Sequence, residues 1–149
     1  MTTRIDLAKI DPAALTAMLS VENYLSQTEL PVTLKELIKI RASMINQCAY
    51  CIEMHTTEAL KAGIEQQKLF AISAWRESPL FDEQERAVLA LTDEMTLIAN
   101  SGLSDASYQT CLEQLGEELL AQAMMQVIMI NAWNRLALAT KMKHSVTSA

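Results

Sequence analysis

The sequence predicts an all-α protein, and three observations carry that expectation. Ala, Leu, Met, Glu, Gln and Lys dominate the chain, and all are good helix formers. Gly and Pro occur only three times each, so little interrupts long helical runs. No stretch alternates apolar and polar residues over a useful length, so no sheet is expected. Half of the residues are hydrophobic, which excludes a disordered chain. The 149 residues fit one domain, 1–149, long enough to bury a core.

The elements follow in order. A first helix is expected over about 11–26, with Asp11 as N-cap and Pro12 in the first turn. Pro31 closes the next connection. Thr33 followed by Glu36 reads as a capping box at the head of a second helix, whose apolar positions are Leu34, Leu37, Ile38, Ile40 and Met44. Asn46 and Gln47 mark a tight turn. A third helix over about 49–61 ends at Gly63 as C′ residue, and a shorter helix covers about 65–74. Asp82 and Glu85 form a second capping box for a helix over about 83–99, which Asn100, Ser101 and Gly102 stop. Ser104 caps a helix over about 105–114 that Gly116 ends, and a long last helix covers about 117–142.

Charge and hydropathy narrow the function classes. The net charge is −6 and no basic stripe occurs, so a nucleic-acid partner is not expected. The opening MTTRIDLAKIDPAALTAM contains acids and no continuous apolar block, unlike a signal peptide. The most apolar stretch, 119–139, contains Gln122, Gln126, Asn131, Asn134 and Arg135, which a membrane span would have to bury. It reads as a helix buried in the domain or between subunits, and its Met124, Met125 and Met129 as core or interface. A cytoplasmic location is expected. In a reducing compartment three cysteines do not make a disulfide framework, and Cys111 reads as a small buried hydrophobe.

The chemistry concentrates in QCAYCIEMH, 47–55. With Cys48 at a helix start, Cys51 is one turn on, and i,i+3 side chains lie about 5–6 Å apart. A small adjustment brings them within disulfide range. The unsatisfied N–H groups of the helix start favour a thiolate, the form that attacks peroxides and disulfides. His55 follows Cys51 by four residues on the same face and can take or return a proton. Glu53 falls on another face and reads as solvated. A chain reversal near Asn46 would pair the second and third helices as an antiparallel hairpin, setting Glu36 beside His55. Glu36 then serves as cap, as partner of the imidazole, or as both. Zinc is a further reading of the pair, with Cys48, Cys51, His55 and Glu36 as a four-ligand set. A second cysteine pair is absent, however, and His144 is near a C-terminus expected to be loose.

These residues are familiar. ELIKIRASMINQCAYCIEMHTTEALKAG resembles the AhpD-like alkylhydroperoxidase branch of the carboxymuconolactone decarboxylase family, as do LFDEQERAVLALTDEMT and INAWNRLAL. The resemblance spans about 30–140, and its motif Glu-x11-Cys-x2-Cys-x3-His is met by Glu36, Cys48, Cys51 and His55. It implies an all-α, AhpD-like fold and a homo-oligomer, trimeric or built from trimers. It also implies thiol-dependent reduction of hydroperoxides without metal or organic cofactor. By that resemblance Cys51 is the peroxidatic thiol, Cys48 resolves its sulfenic acid, Glu36 and His55 relay the proton, and a dithiol such as a lipoyl group is the reductant.

The best-known AhpD relay has a second histidine where this chain has Tyr50. A phenol, with an ordinary pKa of about 10, does not cycle protons as imidazole does. Slower turnover or another reductant is the implication. Decarboxylase chemistry is not implied, because an acidic substrate needs cations and only Arg41 and Arg135 look like candidates for that role in the motif stretches. Trp133 and Asn134 either line the thiol pocket with Tyr50 or pack the last helix, and packing is the expectation. A non-peroxidase disulfide oxidoreductase, a redox sensor or a metal-binding module remains the alternative.

Overall fold

The computed structural model describes residues 4–144. Its elements are α1 (Leu7–Ile10), α2 (Pro12–Ser26), α3 (Val32–Ile45), α4 (Ala49–Lys61), α5 (Gln66–Ala71), α6 (Glu83–Thr96), α7 (Ile98–Ser101) and α8 (Asp105–Thr140), with a 3-10 turn at Ile72–Ala74. Among the described residues there is no strand, and no helix is long and apolar enough to cross a membrane.

Helices α3, α6 and α8 pack on one another most extensively. Leu34, Ile38 and Ala42, spaced by four, form the α3 stripe that meets Ala87, Val88 and Leu91 of α6 and Ala123, Val127 and Ile130 of α8. A second stripe, Leu37 and Ile40, meets Ala59 of α4, Leu69 of α5 and Trp75 and Phe81 beyond it. Helix α3 is therefore buried along two faces, and whatever polar group it carries between them is carried into the interior.

Several caps lie where the sequence puts them. Asp11 accepts from the Ala14 N–H with Pro12 at the first position, Ser104 accepts from Ser107, and Asp82 with Glu85 forms the full reciprocal box. Gly63 has φ +87, as a C′ residue ending α4 requires. Gly116, at φ 77 and ψ 169, is non-helical and divides α8 into two helical arms, where the sequence ends one helix and starts the next. The helix expected over 83–99 stops at Thr96 and yields to the one-turn α7. The short α1 carries no sequence signal long enough to have been expected.

The box at Thr33 and Glu36 does not form. Pro31, extended at φ −53 and ψ 139, is the residue flanking α3, so the helix starts at Val32 and Thr33 already lies inside it. No side chain caps this end. Glu36 instead turns inward and is buried.

Candidate active site

Helices α3 and α4 form a hairpin closed by Asn46, Gln47 and Cys48, with Gln47 at φ 57 making the reversal. Cys48 is the N-cap of α4. Its Sγ accepts from the Cys51 N–H at 3.3 Å, and its own N–H donates to the Ser43 carbonyl at 3.0 Å. The two cysteines are joined as a disulfide with Cα atoms 5.3 Å apart, within the usual range. Both are buried, against Ala137 of α8 and the Tyr50 side chain.

Cys51, and not Cys48, lines the cavity on this side of α4. The space, about 330 Å³, is walled by Tyr50, Cys51, Met54, His55 and Glu58 of α4, by Lys39 of α3, and by Leu19 and Glu22 of α2. Ile130, Trp133 and Ala137 of α8 and the following Met142 complete it. Trp133 thus lines the cavity while its Nε1 donates to Glu22 Oε1 at 2.7 Å, tying α8 to α2.

Asn134 does not line it, which corrects one of the two expectations for that residue. It is wholly buried, donates to Ser43 Oγ at 3.0 Å and accepts from Asn46 Nδ2 at 2.9 Å. Asn46 also donates to Asn131 at 2.9 Å, and Asn131 donates to Thr96 at 3.0 Å. This network pins the turn before Cys48 to α8, so two of the polar residues that argued against a membrane span, Asn131 and Asn134, hold the cysteine turn in place.

His55 is buried and its Nδ1 lies 2.9 Å from Glu58 Oε2. Lys39 stands 3.6 Å from the same carboxylate oxygen and 2.7 Å from Glu36 Oε1. The other Glu36 oxygen, Oε2, is buried without a hydrogen-bond partner. The hairpin therefore brings Glu36 near His55 with Lys39 and Glu58 between them in the hydrogen-bond chain, two residues the sequence reading missed. Glu58 was legible as i+3 from His55, but a charge on a half-exposed helix face ordinarily reads as solvated.

Burial, then the Lys39 charge, holds the His55 pKa below its usual value, partly offset by Glu58. Burial raises Glu36 against the opposing effect of Lys39. Burial also pushes Glu58 upward, but the His55 hydrogen bond and the Lys39 charge outweigh it and hold this carboxyl below its ordinary range.

Ligand atoms of Glu36, His55 and Glu58 lie within 4.8 Å of one another. The Lys39 ammonium already occupies the space between the carboxylates, and the sulfurs bond each other, so the four-ligand zinc set is not assembled. Arg41 binds Asp93, and Arg135 binds Asn131 of its own helix; neither lines the cavity. Glu53 is exposed. Cys111 is buried against the Ala87 carbonyl, and burial, aided by Glu94, pushes its thiol up to about 11.

An all-helical bundle with a Cys-x-x-Cys disulfide at a helix start, one of its cysteines and a histidine on a common cavity, defines the class of protein. The chain belongs to the carboxymuconolactone decarboxylase family, whose model matches residues 12–94. Within that family it is AhpD-like. It is 39% identical to a protein of unknown function from Agrobacterium tumefaciens whose name carries the words Antioxidant Defence Protein AhpD. That structure superimposes with a TM-score of 0.94 over 97% of this chain and 99% of the other. The uncharacterized protein YdfG of Bacillus subtilis is 35% identical over 139 residues, 93% of this chain and 95% of that one. The debrominase Bmp8, bound as a variant to 2,3,4-tribromopyrrole, shares the fold alone, at 19% identity and a TM-score of 0.82 over 91% of this chain and 73% of that one.

Proposed function

We propose that this protein is a thiol-dependent peroxidase that reduces organic hydroperoxides, with Cys51 as the attacking thiol and Cys48 as the resolving one. The observation that carries this reading is the asymmetry of the pair: Cys51 lines the cavity beside His55, whereas Cys48 is bonded behind it and does not reach the wall. The walls contributed by Leu19, Met54, Ile130 and Trp133 favour an organic group on the peroxide.

In the reduced protein, neutral His55 takes the Cys51 proton, and the nearby Lys39 favours the thiolate. The thiolate attacks the terminal peroxide oxygen. A sulfur–oxygen bond forms, the O–O bond breaks, and two electrons pass from sulfur to the peroxide. The alkoxide leaves as an alcohol with the proton returned by His55. Cys48 attacks the sulfenic sulfur, the disulfide forms and water departs. An external dithiol, of lipoyl type by the family resemblance, reduces the disulfide by exchange and becomes a disulfide itself. Glu36 serves the relay through Lys39, whose charge it partly cancels and which otherwise would depress His55 further.

A homo-oligomer in the cytoplasm completes the reading. Ile98 of α7 and Ile128 of α8 are more than half exposed beside Met95 and Ala132, an apolar patch that supports association of copies.

The test is stopped-flow mixing of prereduced, metal-free protein with cumene hydroperoxide, followed by mass spectrometry. Rapid consumption with a Cys48–Cys51 disulfide is expected, and Cys51→Ser should abolish it. Retention of the wild-type rate by that variant would remove Cys51 from the mechanism. Slow consumption with a readily formed disulfide would favour disulfide exchange instead.

A further inference from the structure

We propose that Glu58 is the positioning residue of the site: it selects the His55 tautomer that leaves Nε2 as the acceptor for the Cys51 proton. Its purpose rests on the peroxidase reading; its geometry does not. Cys51, His55 and Glu58 follow one another at i, i+4 and i+7 on α4, and all three line the cavity. The Glu58 carboxylate lies 2.9 Å from Nδ1. An ionised carboxylate can only accept, so Nδ1 carries the hydrogen and the lone pair is confined to Nε2. The same device orients metal-bound and triad histidines.

The competing carboxylate is Glu36, to which the sequence pointed. Its Oε1 is taken by Lys39 at 2.7 Å, and its Oε2 has no hydrogen-bond partner, so it does not bond His55. Glu22 of α2 accepts from Trp133, and α8 brings no charged group to the cavity. Lys39, shared between Glu36 and Glu58, holds the Glu58 carboxylate toward the ring. Glu58 has about half of its side chain exposed, and the His55 hydrogen bond and the Lys39 charge keep it ionised against the cost of its partial burial.

The chain has two histidines, so ring-nitrogen NMR of the disulfide form resolves His55 by comparison with His55→Ala. The wild type should show the Nδ1–H tautomer at near-neutral pH. Glu58→Ala should lose that preference, and so should Glu58→Gln, whose amide can donate as well as accept. Glu36→Gln should keep it. In the reduced protein, Glu58→Ala should slow iodoacetamide capture of Cys51 and hydroperoxide consumption by about 10–100-fold. An unchanged tautomer in both Glu58 variants, or its loss in Glu36→Gln alone, overturns the assignment. Since the NMR readout needs no peroxide, a wild type that consumes none but shows this tautomer pattern refutes the peroxidase reading and supports the positioning role.

Discussion

Glu36 and Glu85 are two buried glutamates near the starts of long helices, each preceded three residues earlier by a residue of capping type, Thr33 and Asp82, of which only Asp82 caps. Glu85 has every oxygen engaged. One accepts from Lys68 at 2.6 Å, and the other from the Asp82 N–H at 2.9 Å, while Asp82 accepts in return from the Glu85 N–H at 2.9 Å. Glu36 has one oxygen on Lys39 and one on nothing, and lies close to His55 and Glu58. A satisfied carboxylate holds a fold together. A half-satisfied one in the interior is tolerated only where something other than stability keeps it there. The difference separates the structural end of the α3–α6 pair from its chemical end.

The largest effect that tests this contrast is on stability. Glu85→Ala should cost about 3 kcal/mol, because it removes the box and strands Lys68 in a partly buried site. Urea denaturation reads it directly. An equal loss in Glu36→Ala would break the comparison, since it would make Glu36 as structural as Glu85.

Smaller, and sharper, is the pair of caps. Asp82→Ala should cost about 1 kcal/mol, as loss of an N-cap does. Thr33→Ala should stay within about 0.5 kcal/mol, because Thr33 caps nothing. Comparable losses at both positions would mean that the α3 box forms in solution after all.

The smallest effect is in pH dependence, and its sign distinguishes the carboxylates of the site. The folded protein holds the Glu36 proton more tightly than the unfolded chain does, so its contribution to stability is present below the ordinary value of 4.5 and is lost as pH rises through the raised one. Glu36→Gln should therefore gain on the wild type as the pH is raised from about 4 to about 7. Glu58 has the opposite shift, contributing above 4.5 and losing that contribution as pH falls, so Glu58→Gln should lose ground over the same rise. Urea midpoints across that range that moved in the same direction for both variants would erase the distinction.

Local signals in the sequence were reliable where their physics was local. Asp11, Asp82 and Ser104 cap their helices because a short acceptor side chain meets N–H groups two or three residues away. The same holds for Cys48, Cys51 and His55, whose relation is fixed by the pitch of one helix. The Thr33 signal failed because Pro31, with its fixed φ, set the start of α3 two residues early. Trp133 was expected to pack and does, yet the same ring walls the cavity.

By itself, then, the sequence determined an all-helical chain, its main boundaries and the cysteine–histidine stripe, since propensity, capping and helical spacing act over a few residues. Tertiary structure alone decided that Glu36 turns inward to Lys39, that Cys51 and not Cys48 meets the cavity, and that Asn134 anchors the cysteine turn. Those outcomes depend on which faces of α2, α3, α4 and α8 meet. Burial there changes both the partners and the proton affinity of each group, and no window of neighbouring residues contains that information.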